Sequence, residues 1–249
     1  MKKLFNKIKP ESGIAHALHF ILNALLPILV LCLVRINFVP IAIALVLLSK
    51  WRTLAVKPRY WLSNIRANLV DIFIGLSVVA FMAGTTKIYT QLFWMAFYIA
   101  WLLWIKPKSK PIPVMIQALL AQALGLIAFY RAFPSSSLLI GILVTWVICY
   151  ACARHFLGAF EEPLIRSMSQ IWAWFGAVMA WILGHWMIDY LFLPQIALIL
   201  TVLGYGLATL YYLHDNNRLK AALKVQLISV MAILLLVIII FSDWQDKTV

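Results

Sequence analysis

The sequence predicts an all-α integral membrane protein: a single domain, residues 1–249, folded as one bundle of about nine transmembrane helices. Hydrophobic residues make up 65% of the chain and charged residues 12%, whereas soluble domains are nearer half apolar and a quarter charged. Apolar runs of roughly 17 to 22 residues recur, and about 20 such residues cross the hydrocarbon core of a bilayer. No polar segment is long enough for a soluble domain, so any activity is expected in the membrane or at its surface.

Net charge and cysteine usage narrow the expected partners. The chain carries a net charge of +13, but its Lys and Arg residues lie in short linkers between the apolar runs. Such residues set the orientation of a membrane protein and meet anionic lipid headgroups. We therefore expect anionic membrane lipids as partners, other membrane proteins as an open alternative, and no nucleic acid. The three cysteines lie within apolar runs, so neither a disulfide framework, nor a metal site, nor a cofactor is expected.

The apolar runs predict the spans in chain order. The basic segment before the first run resembles the start of a signal peptide, but no small-residue cleavage site follows, and we expect an uncleaved first span. Pro58 should begin a helix near Arg59 that runs into the third span. The predicted spans are residues 13–34, 37–50, 68–84, 88–105, 113–131, 137–153, 168–189, 193–213 and 225–241.

The distribution of Lys and Arg predicts the orientation of these spans. With the N-terminus inside and the C-terminus outside, the inner segments hold 17 of the 21 basic residues. The positive-inside rule favours this arrangement over its inverse. The chain also divides into four hairpins and a ninth helix, which is typical either of an internal duplication or of any polytopic protein with short loops.

Residues 154–166 contain the only adjacent acids of the chain, Glu161 and Glu162, bracketed by Arg154, His155 and Arg166. The pattern Glu-Glu-x-x-x-Arg resembles the first motif of the CAAX-protease-like intramembrane enzymes. The resemblance implies that the two glutamates serve a water-activating site.

The rest of the motif set of that family departs from this sequence. Trp181 and His185 have the spacing of the second motif, whereas His214 and Asn217 miss the third by one residue. On one continuous helix, Glu162 and His185 would lie ~34 Å apart, so a shared site would need a broken helix. The alternative is an interfacial acid pair neutralised by Arg154, Arg166 or a neighbouring basic linker.

Several polar residues inside the predicted spans are further candidates. Asp71 is the acid furthest into a span on the inner side, and intramembrane acids are functional candidates, although pairing with Arg66 would also explain it. His185 and Asp189 would share a helix face one turn apart, for proton transfer or for a structural hydrogen bond. A transporter would require polar groups near mid-membrane to line one cavity, namely Asn23, Gln117 and Gln122.

Two stretches of the chain, residues 50–71 (KWRTLAVKPRYWLSNIRANLVD) and 152–163 (CARHFLGAFEEP), are similar to uncharacterised multi-span proteins of small-genome candidate-phylum bacteria. That resemblance implies a multi-pass protein of a bacterial plasma membrane. We expect a binding or assembly subunit, or a passive lipid-facing carrier, with Arg59, Arg66, Asp71, Arg154 and Arg166 as binding residues. The alternative is an inner-face enzyme that acts on a lipid or prenylated substrate through Glu161, Glu162 and His155.

Overall fold

A computed structural model describes residues 14–51, 55, 57–107, 110–185, 189–190 and 193–242, and 84% of these residues are helical. The described ranges contain nine α-helices and one pair of two-residue strands. The helices are α1 Ile14–Arg35, α2 Val39–Leu48, α3 Trp61–Ala83, α4 Ile88–Ala100, α5 Pro111–Ala132, α6 Leu138–Ala159, α7 Ile165–Gly184, α8 Gln195–Asp215 and α9 Ala221–Phe241. Strand β1, Asp189–Tyr190, pairs antiparallel with β2, Leu193–Pro194.

Six of the described helices are long and apolar enough to cross a membrane, which fits a polytopic membrane protein. They are α3 with the 3₁₀ turn Pro58–Tyr60 before it, α4 with the π-helical turn Trp101–Ile105 after it, α5, α6, α8 and α9. Helix α2 has ten residues and is therefore about 15 Å long, half the thickness of a hydrocarbon core.

Several helix boundaries differ from those predicted. The helix predicted to start near Arg59 and run into the third span is confirmed: the 3₁₀ turn Pro58–Tyr60 leads directly into α3 at Trp61. Helix α7 ends at Gly184 rather than at residue 189, and Asp189 lies in β1. The prediction that His185 and Asp189 lie one helical turn apart is therefore wrong. The basic residues of segment 1–13 and the tail after Ser242 lie outside the described residues.

Side-chain contacts at both ends of the bundle show that several pairs of neighbouring helices run antiparallel. At one end, Lys50 after α2 and Lys106 after α4 both reach Asp71 in the first half of α3. The start of α5 is joined there to the end of α6, because Gln117 contacts His155. We call this the basic end of the bundle.

The opposite end shows the complementary pairing of helix ends. Gln91, near the start of α4, donates to the carbonyl oxygen of Met82 at the end of α3, 3.1 Å away. Tyr130 at the end of α5 shares a 2.8 Å hydrogen bond with Thr145 of α6. Gln195 at the start of α8 donates to the Ser242 hydroxyl after α9, 3.0 Å away. The polar contacts thus lie mainly where helices meet near their ends.

Helix α3 lies at the centre of the N-terminal part of the bundle and contacts α1, α2, α4, α5 and α6. Its buried face carries Ile74, Val78 and Met82, and Tyr98 and Trp101 are buried with it. Gly75 permits the close approach of α2 and α4, since a methyl group there would lie 2.6 Å from Val46 Cγ1 and 2.7 Å from the Tyr98 hydroxyl. Both of these neighbours are fully buried.

Helix α9 is apolar around its whole circumference and packs against α8 through Met231, which lies over Gly206. Of its residues, Ile238 alone is buried within the described part of the chain. A bilayer supplies apolar surroundings for the remaining faces of such a helix.

Replacing Gly75 by alanine should destabilise the bundle by about 1–3 kcal/mol, because neither Val46 nor Tyr98 has room to withdraw. Gly125→Ala is the matched control: Gly125 is also helical and buried, but its nearest neighbour would lie at an ordinary 3.5 Å. Thermal unfolding in detergent compares the two, and equal melting temperatures would contradict the packing described.

Candidate functional site

Asp71 forms a buried ion cluster at the basic end. The residue is 6% exposed, and its Oδ2 accepts a 2.6 Å hydrogen bond from Lys106 Nζ and pairs with Lys50 Nζ. Its Oδ1 accepts a 2.8 Å hydrogen bond from the indole Nε1 of Trp101. Both carboxylate oxygens are therefore satisfied, as a buried charge requires.

Lys50 and Lys106 neutralise Asp71, whereas the sequence suggested Arg66 for that role. Arg66 precedes Asp71 by five residues, a spacing that turns the two side chains about 140° apart around a helix. The two lysines instead follow the C-terminal ends of neighbouring helices: Lys50 follows α2, and Lys106 follows the π-helical turn after α4. Because the side chains of Lys50 and Asp71 are only 10% and 8% exposed, the cluster holds helices together and offers little surface to a ligand.

A second feature of the basic end is a groove of about 280 Å³ between α3 and α6, which we call the arginine groove. Arg66 and Arg154 line it together with Ser63, Tyr150 and His155, and none of the residues lining it carries a carboxyl group. Arg154 Nη1 donates to the Tyr150 hydroxyl at 3.1 Å. Arg66 is exposed and makes no hydrogen bond or ion pair within the described part of the chain. Among the residues that the structure describes, the groove is therefore a cationic site that no acidic side chain neutralises.

The wall of the groove formed by His155 is fixed by Gln117 of α5. Gln117 Nε2 donates to the carbonyl oxygen of Ile105 at 2.6 Å, and its Oε1 lies 3.2 Å from His155 Nε2. Ile105 is the last residue of the π-helical turn, where backbone carbonyls run out of helical partners. A single glutamine thus connects α4, α5 and α6.

The two glutamates lie outside the arginine groove. Glu162 accepts hydrogen bonds from the Tyr211 hydroxyl and, at 3.3 Å, from the backbone N–H of Leu164. Glu161 has a left-handed backbone with φ 54° and lines a separate cavity of about 480 Å³ with Lys110 and Asp215. The structure therefore does not bring Glu161, Glu162 and His155 together in one cavity.

Two further predicted binding residues also lie apart from the groove. Arg59 stacks over the ring of Tyr60 at 4.5 Å, and Arg166, in the first turn of α7, is not among the residues that line the groove. Among the described residues, no group of three His, Cys, Asp or Glu side chains could hold a metal ion.

Gln122 lies in a different environment from Gln117. Its Nε2 donates to the carbonyl oxygen of Leu200 at 3.0 Å, and its Oε1 accepts from Trp172 Nε1 at 2.8 Å. It lines an apolar cavity of about 580 Å³ between α5, α6, α7 and α8, and neither Gln117 nor Asn23 lines that cavity. The predicted polar cavity of a transporter thus loses its support.

The fold and the groove define a polytopic helical membrane protein with a cationic groove at one end of its bundle. No family model, no curated protein and no solved structure matches the chain.

Replacing Asp71 by asparagine should lower the free energy of unfolding by about 3–5 kcal/mol, since it removes the carboxylate that faces the buried Lys50. The double variant Lys50→Met/Asp71→Asn should recover part of this loss, because Lys106 is 39% exposed on its side chain and can reach water. Unfolding in mixed detergent micelles measures both changes. Asp215→Asn removes the same charge from an exposed helix end and is the matched control; an equal effect there would refute the role of Asp71.

Proposed function

We propose that this chain is a lipid-binding membrane protein whose arginine groove holds the phosphate of an anionic phospholipid. The observation that carries the proposal is the convergence of Arg66 and Arg154 on a groove that no carboxylate lines. Guanidinium groups present a planar set of donors that matches phosphate oxygens, and they remain charged at any physiological pH.

The depth of the two arginines suits a lipid headgroup. Arg66 lies five residues after the start of α3, and Arg154 five residues before the end of α6. At 1.5 Å per residue, each is about 7.5 Å from the end of its helix. A phosphate at that level would leave its acyl chains beside Ala67, Leu69 and Ala151, which also line the groove.

The proposed orientation puts the basic end inside a bacterial plasma membrane, with nine spans, the N-terminus inside and the C-terminus outside. The antiparallel order of the helices and the charge of the linkers support it. A cysteine introduced by Ser135→Cys, between α5 and α6, should then react with a membrane-impermeant maleimide in intact cells. A cysteine introduced by Asn217→Cys, between α8 and α9, should react only after permeabilisation. The reverse labelling pattern would show that the protein has the opposite orientation in the membrane.

Within this proposal the protein is a binding or assembly subunit, or a passive lipid carrier, and it needs no catalytic group. The alternative is an enzyme that acts on a lipid or prenylated substrate through Glu161 and Glu162. The hydrogen bonds of Glu162 to Tyr211 and Leu164 favour a structural role for that residue. A folded Glu161→Ala/Glu162→Ala variant that loses cellular function while still binding phospholipid would favour the enzyme.

The double variant Arg66→Gln/Arg154→Gln should lose most of its affinity for anionic phospholipid, by about tenfold or more, because two charge-assisted contacts to phosphate are removed. Native mass spectrometry of protein incubated with a phosphatidylglycerol series measures the bound fraction directly. Excess inorganic phosphate should not displace the lipid, since the acyl chains supply part of the binding energy.

Arg218→Gln/Lys220→Gln is the matched control for this experiment. It removes the same charge from the basic end, between α8 and α9, and neither residue lines the groove. If both double variants lose affinity equally, the attraction is general to the basic end and the arginine groove is not the site.

A further inference from the structure

We infer that the arginine groove selects phospholipids whose headgroup carries a hydroxyl group, and that His155 recognises this hydroxyl as a hydrogen-bond acceptor. The inference rests on the proposed function, since it names the class of lipid that the same groove would take. Its basis is the hydrogen-bond chain from Ile105 through Gln117 to His155.

The orientation of the Gln117 amide follows from its partner on α4. The backbone carbonyl of Ile105 can only accept a hydrogen bond, so the amide nitrogen of Gln117 must face it, as observed at 2.6 Å. The amide oxygen is thereby directed at His155 Nε2, 3.2 Å away. No other assignment of the amide satisfies both neighbours.

The tautomer of His155 follows from the amide. A carbonyl oxygen accepts only, so His155 Nε2 must carry the proton that it donates to Gln117. In the neutral ring the lone pair then resides on Nδ1. His155 makes no other hydrogen bond within the described residues, and its half-buried ring lines the groove. His155 Nδ1 is thus a hydrogen-bond acceptor, because the hydrogen bond from His155 Nε2 to Gln117 of α5 determines the tautomer of the ring.

The other polar groups of the groove determine which ligand group can donate a hydrogen bond to His155 Nδ1. Arg66 and Arg154 only donate, and the Tyr150 hydroxyl already accepts from Arg154. A phosphodiester supplies acceptors to the arginines but no donor to His155. A headgroup hydroxyl supplies that donor without charge, whereas an ammonium headgroup would meet two guanidinium groups of like charge. A glycerol or other polyol phosphodiester supplies acceptors to both arginines and a donor to His155 Nδ1.

The experiment compares two lipids of equal charge, phosphatidylglycerol and phosphatidylpropanol, which differ only by the headgroup hydroxyls. In native mass spectrometry the wild-type protein should bind phosphatidylglycerol about three to ten times more tightly. His155→Leu should bind both lipids with the weaker affinity, because it removes the acceptor and leaves the two arginines. His214→Leu is the matched control: it makes the same substitution at an exposed histidine of α8 that does not line the groove, and it should retain the preference.

The outcomes separate this inference from the proposed function. Equal, arginine-dependent binding of both lipids by the wild-type protein would overturn the role of His155 and leave the phosphate site standing. Binding of neither lipid, or binding unaffected by Arg66→Gln/Arg154→Gln, would overturn the proposed function itself. A preference lost in His214→Leu but kept in His155→Leu would also overturn the inference. If His155→Leu does not fold, His155→Phe, which keeps a ring at this position but has no acceptor, takes its place and should likewise bind both lipids with the weaker affinity.

Discussion

The carboxylate of Asp71 is the constraint on which the N-terminal half of the bundle depends. A charged carboxylate is costly within a membrane span, and its cost is offset only where cations and hydrogen-bond donors surround it. Here those groups come from three different places: Lys50 after α2, Lys106 after α4 and the indole of Trp101 in the π-helical turn. All three groups must pack against Asp71 before its carboxylate has a complete set of cations and hydrogen-bond donors. The cluster therefore fixes where α2 and α4 end relative to α3.

How far the sequence predicts this structure depends on whether a feature is local. Apolar runs between basic turns were enough to predict helices, and Pro58 to predict where the third one starts. The partners of Asp71 were missed because Arg66 is near in sequence, whereas Lys50 and Lys106 are near only once α2, α3 and α4 have packed. The positive-inside pattern did place all four residues on one side, which was the available signal.

The groove shows the same limit: Arg66, Arg154 and His155 were each recognised as candidates, but only the packing of α3 against α6 groups them and separates them from Glu161 and Glu162.

Helix α5 shows how a membrane protein can use polar residues without exposing them to lipid. Gln117 and Gln122 are five residues apart and face different neighbours, and each donates to a backbone carbonyl of another helix. Each also contacts an aromatic ring nitrogen, of His155 or of Trp172. Interhelical hydrogen bonds of this kind contribute modestly to stability, but they set the rotation of α5 against α4, α6, α7 and α8. The hydrogen-bonding state of His155 in the groove thus follows from how the helices are held in register.

The order of the charges along the chain has a consequence for biosynthesis. A ribosome produces Lys50 first, Asp71 after 21 further residues, and Lys106 after 35 more. When α3 enters the bilayer, one lysine partner of its carboxylate therefore precedes it in the chain, after α2, while the second follows it, after α4. Insertion of a lone central Asp costs about 3 kcal/mol, which an early partner reduces. Helices α2 and α3 should accordingly leave the insertion machinery as a pair, with the short α2 retained at its exit until α3 arrives.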